Sequence, residues 1–352
     1  MKSQRDKWLR SYTAPNTRDR YGRSLSKFLG HFKISPEETL DWTVEEAEDR
    51  MLDWQAQMVE EGLAGASIQT NFTGVKQWFQ FNRIRVQVRC KGTPAKRTYF
   101  DYIPSRKDVQ SLLDAAKLHH KVGIALIAFS GLRPVDVVTL RYENIRASYE
   151  TGDTVLTIIK LHQKTGEWYP TFIGTQGTRY IRSFIESRKA KGEKITNESH
   201  VVVWEKGPLR SEGLRISIKR IIDRTVGRYP TGEPFRKFRA YGLRKYFRKT
   251  VDSLGEDIAE LLMGHRKGLL SLSSTYSGIR DMDPQAIKAL RKKYISILPE
   301  LETEITDTTL KAQIEEKEKR IRSYEVRMDE IQEDQKRLQK FLERLEERDK
   351  EG

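Results

Sequence analysis

The sequence predicts a mainly α-helical protein with one small antiparallel β-hairpin, an α+β protein in the broad sense. Apolar residues recur at helical spacing through most of the first 300 positions. Two β-rich runs, Val155–Ile159 and Trp168–Ile173, flank a turn around Lys164–Glu167, which indicates a hairpin. Neither Pro nor Gly occurs between Glu300 and Lys350, as expected of a long helix.

Residues 1–90 are predicted to form a helical domain. Its first long helix is expected to stop at Gly30, after a stripe of aromatic and aliphatic side chains. Thr43 is expected to cap the next helix, because Glu46 occupies the capping-box position. A third helix is expected to open at Ser67 and to carry several large apolar residues.

A linker is expected at residues 91–104, which contain two prolines and no clear periodicity. A second domain is then predicted over residues 105–299. Ser105 is expected to cap its first helix, with Asp108 at the third helical position. Pro170 is expected to place the second hairpin strand at a sheet edge, since proline has no N–H to donate.

The tail, residues 300–352, is predicted to form a coiled coil. Charged residues flank two series of apolar residues with a seven-residue period, interrupted at Lys317 and Gln335. The series are Ile314, Ile321, Met328 and Leu342, and Leu310, Tyr324, Ile331, Leu338 and Leu345. The alternative is a single charged helix that folds back on the body.

The charge is unevenly distributed. The chain has a net charge of +15, but residues 301–352 contain 12 Lys/Arg and 16 Asp/Glu, a net of −4. Residues 1–300 contain 53 Lys/Arg and 34 Asp/Glu, a net of +19. A basic body of this kind favours a nucleic-acid partner over an acidic membrane surface. A surface that serves only solubility is the alternative.

Composition argues against several classes of protein. A single cysteine, Cys90, forms no intrachain disulfide and supplies no zinc-site spacing, which favours a reducing, cytoplasmic setting. No apolar run has the length of a membrane span, so a soluble protein is expected. No Walker loop or GxGxxG sequence indicates a nucleotide cofactor. Ser-His-Asp chemistry remains open on residue types, although no nucleophile elbow marks it.

Four short segments combine functional residues with distinctive neighbours. In order, they are Ser130–Asp136 (SGLRPVD), Tyr241–Arg244 (YGLR), Leu261–His265 (LLMGH) and Ser273–Ser277 (SSTYS). Each alone is a weak signal, but the ordered set resembles the tyrosine recombinase (phage integrase) family. The resemblance covers about residues 10–298. It implies that the first domain is a DNA-binding core-binding domain and the second a catalytic domain.

The resemblance implies a set of catalytic residues, which are Arg133, Lys164, Tyr241, Arg244, His265 and Tyr276. Attack by the Tyr276 oxygen on a DNA phosphate would build negative charge that fixed cations must stabilise. Arg133 and Arg244 suit this clamp, because a guanidinium donates two hydrogen bonds to one phosphate and stays charged. Lys164, at a turn tip, would protonate the leaving 5′ oxygen as a general acid.

Three further positions depend on the family pattern. An imidazole at His265 would donate to the phosphate or accept the nucleophile's proton. Asp136 stands where the family more often has Glu, and it is expected to orient Arg133. Tyr241 stands where the family usually has His. A neutral phenol still donates one hydrogen bond to a phosphate oxygen, so the role is retained.

The expected nucleophile has two rivals. Tyr276 follows His265 by eleven residues, a longer interval than is usual in the family. Tyr246 and Tyr294 are the competing tyrosines. Tyr246, however, shares a helix with Arg244, and Tyr294 lies far downstream. Tyr276 therefore remains the expected nucleophile.

The implied activity is site-specific breakage and rejoining of double-stranded DNA through a 3′-phosphotyrosyl intermediate. No cofactor, metal or ATP is expected, because the covalent bond conserves the energy. The implied partners are double-stranded DNA recombination sites and further copies of the chain, as a homo-tetramer of C-shaped clamps on DNA. The apolar face of Asp283–Leu298 is the expected contact with a neighbouring subunit.

Three competing functions stay open from the sequence. A type IB topoisomerase would use the same chemistry to relax supercoils without exchanging partners. A DNA-binding protein that has lost catalysis would retain the fold alone. A transcription regulator would require a helix-turn-helix, which is not identifiable here.

Overall fold

The structure is a computed structural model that describes most of the chain. The described residues are 3–90, 99–162, 166–204, 207–265, 278–279, 281–304, 321 and 328. The chain divides into two compact units, Met1–Thr98 and Tyr99–Gly352. The described residues are mainly helical, with small two-stranded sheets, which confirms the predicted fold class.

The first unit is built from helices around an aromatic core. Its described helices are α1 (Gln4–Arg10), α2 (Pro15–Phe32), α3 (Val44–Glu60) and α4 (Gly65–Phe81), with a 3₁₀ turn at Glu38–Leu40. Trp8 and Trp78 meet edge to face with their ring centroids 5.4 Å apart. Phe28 and Trp54 do the same at 5.3 Å. Edge-to-face pairs of this kind stabilise a core beyond simple burial.

The boundaries of these helices test the sequence predictions. The capping box of Thr43 and Glu46 is confirmed. The stop at Gly30 is wrong, because α2 continues to Phe32 and ends at Lys33, which has a left-handed φ of 55°. The rings of Phe28 and Phe32 contact each other across this turn, 5.1 Å apart. Such packing outweighs the cost of about 1 kcal/mol for a glycine inside a helix.

The second unit contains more helices and all the described strands. Its helices are α5 (Arg106–Asp114), α6 (Leu118–Ser130), α7 (Pro134–Val138), α8 (Arg146–Glu150), α9 (Thr175–Ala190), α10 (Ser211–Thr225), α11 (Ala240–Val251), α12 (Glu256–Leu262), α13 (Pro284–Ser296) and α14 (Leu298–Leu301). Its 3₁₀ turns are Tyr142–Asn144 and Asp252–Leu254. Its strands are β1 (Phe100–Asp101), β2 (Leu156–Leu161), β3 (Trp168–Ile173), β4 (Val203–Trp204), β5 (Gly207–Pro208) and β6 (Arg236–Lys237).

Helix α6 forms the centre of this unit. Every residue from Val122 to Ser130 is buried, and the helix packs against α5, α9, α10, α11 and β3. It ends at Gly131, whose φ is +67°. A Cβ at this position would approach the Phe247 ring of α11 to 2.4 Å. Only glycine therefore fits this turn, which leads directly into Arg133.

The predicted hairpin and helix cap are confirmed in this unit. Strands β2 and β3 are antiparallel, with Ile159 opposite Pro170. Ser105 and Asp108 form the expected capping box at the start of α5. A different pairing lies within the predicted linker, where β1 runs parallel to β6. Two-residue strands carry no periodicity, so the sequence alone did not reveal this pairing.

Helix α13 corrects the expectation for Asp283–Leu298. Its apolar residues Leu290 and Tyr294 are fully buried in the core of their own unit. The Tyr294 ring lies 5.5 Å from that of Phe172, and its hydroxyl donates to the Phe129 carbonyl oxygen at 2.7 Å. This face is therefore occupied within the chain and is not left open for a neighbouring subunit.

The predicted coiled coil lies outside the described residues, except at two positions. Ile321 and Met328 are helical, and each is 54% exposed. None of the described helices combines the length and the apolar character needed to cross a membrane.

The segment after α13 docks onto the start of α9 through a buried carboxylate. Glu302 is fully buried, and its Oε1 accepts from the Gln176 backbone N–H at 2.6 Å. Beside it, Glu304 accepts from the Tyr180 hydroxyl at 2.7 Å. Burial raises the pKa of Glu302 to about 7, although the backbone N–H groups of α9 oppose this shift. The docked state therefore favours a protonated Glu302.

We expect Glu302 to make stability fall as pH rises from about 4.5 to about 8. In this window the unfolded chain loses the proton first, while the folded chain keeps it up to about pH 7. Glu302→Gln mimics the protonated acid, so the pH dependence of its free energy of unfolding should differ from wild type by about 3 kcal/mol. Urea unfolding at a series of pH values measures this difference.

Glu304→Gln is the matched control for this experiment. Burial would raise the pKa of Glu304, but hydrogen bonds from Tyr180 and Arg179 lower it overall. Its contribution therefore has the opposite sign and is lost as pH falls. Coincident pH curves for wild type and Glu302→Gln would refute the assignment.

Candidate active site

Arg133 stands at the N-cap of α7, two residues after the turn at Gly131. Its backbone N–H donates to Asp136 Oδ2 at 3.3 Å, and its Nη1 lies 3.7 Å from the same oxygen. Asp136 is almost fully buried, whereas the Arg133 side chain is 30% exposed. The carboxylate thus anchors the arginine at its base and leaves the guanidinium accessible.

Arg244 is buried on α11, with 1% of the residue exposed. Its Nη1 donates to the Gly131 carbonyl oxygen, and its Nη2 donates to the Met263 carbonyl oxygen at 2.7 Å. Nη2 also lies 3.0 Å from His265 Nε2. One guanidinium therefore connects three of the predicted motifs, which are separated widely along the chain.

The buried charge of Arg244 is solvated by helix ends. Gly131 and Met263 follow the last residues of α6 and α12, where carbonyl groups have no partner within the helix and carry the negative end of its dipole. Among the described residues, no carboxylate forms an ion pair with Arg244. Burial lowers the pKa of Arg244 to about 10, and Arg133 adds to this effect. The group still stays cationic at neutral pH.

His265 lies in the turn that ends α12. Its Nδ1 is 2.8 Å from Glu260 Oε2, and its Nε2 faces Arg244. Burial lowers the pKa of His265, and the nearby charges of Arg244 and Arg133 lower it further, against the opposing effect of Glu260. The imidazole is therefore neutral at pH 7.

Tyr241 begins the motif that contains Arg244, and it is 48% exposed. Its ring lies 5.9 Å from Lys245 Nζ. Tyr241 also lines a groove of about 620 Å³ next to Arg133. A phenol at this position is open to a ligand in the groove, where its hydroxyl is available as a donor.

The groove is strongly basic. Its cationic lining residues are Arg133, Arg215, Lys219, Arg228, Lys237 and Arg239, against a single acidic lining residue, Glu212. Arg215 pairs with Glu212 at 3.0 Å, and Arg133, Lys219 and Arg239 pair with aspartates outside the lining. The lining itself still contains six cationic residues and one acidic residue. A concave surface of this charge concentrates polyanions.

Two of the predicted catalytic residues, Lys164 and Tyr276, lie outside the described residues. The structure brings Arg133, Arg244, His265 and Tyr241 into one region of the second unit. His162, two residues before Lys164, is mostly buried, and burial lowers its pKa, with a smaller effect from Arg133. The strand β2 therefore leads towards the same cluster.

The rival tyrosines are structural residues. The Tyr246 hydroxyl donates to the Leu301 carbonyl oxygen at 2.8 Å, and burial raises its pKa to about 12. Tyr294 is completely buried, and burial raises its pKa well above its ordinary value. Both phenols are committed to backbone acceptors in the core, so neither is placed to attack a phosphate.

The sequence interpretation missed Glu260, which contacts both His265 and Arg248. The only signal was its position five residues before the histidine of the Gly-His pair. It also missed Asp101, which pairs with Lys245 at 2.8 Å and with Arg239. Within the described parts of the chain, no cluster of three His, Cys, Asp or Glu side chains is arranged to hold a metal ion.

Solved DNA recombinases share this fold. A lambda integrase dimer bound to a COC′ core site matches 81% of this chain and 94% of its own at 14% identity, with a TM-score of 0.52. A lambda integrase tetramer bound to a Holliday junction matches 78% of this chain and 76% of its own at 15% identity, with a TM-score of 0.52. The XerH recombinase in a post-cleavage complex with difH matches 78% of this chain and 79% of its own at 13% identity, with a TM-score of 0.51.

At these sequence identities, the comparisons establish similarity of fold and do not establish a shared activity. No protein-family model matches the chain, and no curated protein sequence matches it. The fold is therefore that of the integrase and recombinase structures, and the chemistry has to be argued from the residues themselves.

The arginine pair should bind a simple oxyanion. We expect inorganic phosphate to raise the free energy of unfolding of the wild type by on the order of 1 kcal/mol at a few times its dissociation constant. Arg133→Ala should respond less, because only Arg244 then remains at this point. Thermal unfolding in phosphate, against chloride of equal ionic strength, measures the effect.

Arg146→Ala is the control for the phosphate experiment, because Arg146 donates to Asn197 and does not line the groove. It should respond to phosphate as the wild type does. Equal phosphate effects in all three proteins would mean that the pair is not an anion site.

Proposed function

We propose that this protein is a tyrosine recombinase that breaks and rejoins double-stranded DNA at specific sites. The observation that carries the proposal is the buried Arg244, which no described carboxylate neutralises and which lies 3.0 Å from His265. Burying a cation is costly unless it is paired, and the hydrogen-bond partners of Arg244 among the described residues are neutral groups. A phosphate in the adjoining groove would supply the missing anion.

The proposed chemistry is a transesterification. The Tyr276 oxygen attacks the phosphorus and gives its proton to the His265 imidazole. The bond to the 5′ oxygen breaks, and Lys164 donates the proton that this oxygen requires. Arg133 and Arg244 hold the non-bridging oxygens while negative charge builds on them. The 5′ hydroxyl of the same or of a partner strand later attacks the phosphotyrosine and restores the phosphodiester. Bond energy is conserved, so the proposed reaction does not require ATP. The fixed cations supply the charge stabilisation for which a metal ion would otherwise be required.

Tyr241 takes the place of a histidine in this scheme. Its half-exposed position beside Arg133 in the groove allows the phenol to donate to a phosphate oxygen.

The proposed partners are duplex DNA and further copies of the chain. The basic groove supports the first partner, because a row of cations displaces counterions from the DNA backbone. For the second, lambda integrase forms a tetramer on a Holliday junction, and we propose the same assembly here. The apolar face of α13 is occupied within the chain. Assembly would therefore use another surface, or α13 would have to leave the core.

Tyr276→Phe should abolish covalent capture of DNA. The wild type, incubated with a library of duplexes and no added metal or nucleotide, should form adducts that survive denaturing electrophoresis. Sequencing the captured ends identifies the site. Products that join two different duplexes would identify a recombinase, because a topoisomerase that only relaxes DNA does not form them.

Tyr294→Phe is the matched control, because it removes a buried hydroxyl of the same kind. It should keep adduct formation and lose only about 1 kcal/mol of stability with its hydrogen bond to Phe129. Adducts that persist in Tyr276→Phe would overturn the assigned nucleophile. A wild type that binds DNA and never forms adducts would instead be a DNA-binding protein without catalysis.

The groove cations should control the salt dependence of DNA binding. Lys219→Ala and Arg228→Ala should each reduce the slope of log affinity against log salt concentration by about 0.9, one phosphate contact each. Fluorescence anisotropy with a labelled duplex measures the slopes. Lys191→Ala and Lys194→Ala remove exposed cations outside the groove lining and should leave the slope unchanged. Equal slopes in all variants would place the DNA elsewhere.

A further inference from the structure

Glu260 and His265 are brought together by the backbone turn that ends α12. The His265 N–H donates to the Glu260 carbonyl oxygen at 2.9 Å, and the Gly264 N–H donates to that of Leu261 at 2.8 Å. Gly264 has a φ of +65°. This pair of bonds around a left-handed glycine is a Schellman motif, which fixes the two residues against each other.

Each oxygen of the Glu260 carboxylate has its own partner. Oε2 meets His265 Nδ1 at 2.8 Å, and Oε1 accepts from Arg248 Nη1. Arg248 lies one helical turn after Arg244 on α11, and its Nε donates to Asp252 at 2.6 Å. The carboxylate is therefore held from both helices, and it is less than one-fifth exposed.

The hydrogen-bond partners of His265 determine where its proton lies. Burial alone would raise the pKa of Glu260, but the bonds from His265 and Arg248 outweigh it and lower the pKa. The carboxylate is thus ionised and acts only as an acceptor, so Nδ1 must carry a proton. A guanidinium acts only as a donor, so the Nε2 that faces Arg244 must present its lone pair. Both partners specify the same neutral tautomer.

We propose that Glu260 is a positioning residue that holds His265 in the Nδ1–H tautomer and so reserves the Nε2 lone pair for the reaction. This inference rests on the proposed function. The Tyr276 hydroxyl proton moves to Nε2 as the phenolic oxygen bonds to phosphorus, and the resulting imidazolium is stabilised by the Glu260 carboxylate. Arg244 Nη2 exchanges its bond to Nε2 for one to the bound phosphate.

The charges around His265 predict how variants respond to pH. Glu260 faces the imidazole from α12, Arg244 from α11, and Arg133 from the start of α7. Glu260→Gln keeps an oxygen that accepts from Nδ1 but removes the negative charge, so the tautomer is retained and the imidazolium is destabilised. Glu260→Ala removes both the charge and the acceptor, so the tautomer preference is lost as well.

The tautomer of His265 can be observed directly by NMR. Nitrogen-15 NMR of the histidine side chains in the free protein, with His265→Gln for assignment, reports the tautomer and the titration of His265. We expect the Nδ1–H tautomer in the wild type and in Glu260→Gln, with the titration of the variant about one pH unit lower. Glu260→Ala should give a mixture of tautomers.

Cleavage provides the second readout. In single-turnover assays, the acid limb of the Glu260→Gln pH–rate profile should move to lower pH, with a maximal rate about 10- to 100-fold below wild type. Glu186→Gln removes a solvent-exposed carboxylate paired with Lys189 and should match the wild type in both assays.

The two proposals fail in different ways. An Nε2–H tautomer in the wild type, or a His265 titration unchanged in Glu260→Gln, would overturn the role of Glu260 even if adducts form. Adducts that survive in Tyr276→Phe would refute the proposed function whatever the tautomer. An unshifted pH–rate profile together with a shifted His265 titration would show that Nε2 is not the base.

Discussion

The burial of the Arg244 guanidinium is the constraint on which the rest of the site depends. A buried cation normally takes a carboxylate as its partner, and that pairing would cancel its attraction for phosphate. Here the acceptors are carbonyl oxygens just beyond α6 and α12, whose partial negative charges offset the burial without neutralising the group. Arg244 therefore retains its positive charge inside the protein, and this arrangement requires both helices to end beside one side chain.

That requirement explains the glycines of two motifs. Gly131 and Gly264 both adopt left-handed backbone conformations, which end their helices and expose the carbonyl groups that Arg244 uses. A Cβ on either residue would also collide with an aromatic ring, Phe247 or Tyr169, at about 2.5 Å. Arg133 and His265, which we propose to be catalytic, follow these turns closely. The same local geometry thus ends the helix, solvates the buried cation and places the next functional side chain.

Local signals predicted the capping boxes at Thr43 and Ser105 and the hairpin, because each depends on neighbours within a few positions. The predicted helix start at Ser67 is wrong, because α4 begins at Gly65. Longer-range features gave no such signal. The stop at Gly30 failed because Phe28 and Phe32 pack across it. The β1–β6 pairing joins strands more than 130 positions apart. Each strand has only two residues, which is too short to show a periodic pattern. Glu260 has no distinctive sequence context, since its contact with His265 depends on a turn that only the three-dimensional structure reveals.

In the proposed reaction, the titratable and the permanent charges of the site have different roles. Two arginine side chains belong to this site, and Arg244 stays cationic at neutral pH although burial lowers its pKa to about 10. The same charges lower the pKa of His265, which keeps the imidazole neutral and able to accept a proton. Without a compensating carboxylate, this repulsion would make the imidazole too weak a base. Glu260 contacts the ring on the side facing away from Arg244. In the proposed reaction it therefore strengthens the base, while Arg244 keeps its charge for the phosphate.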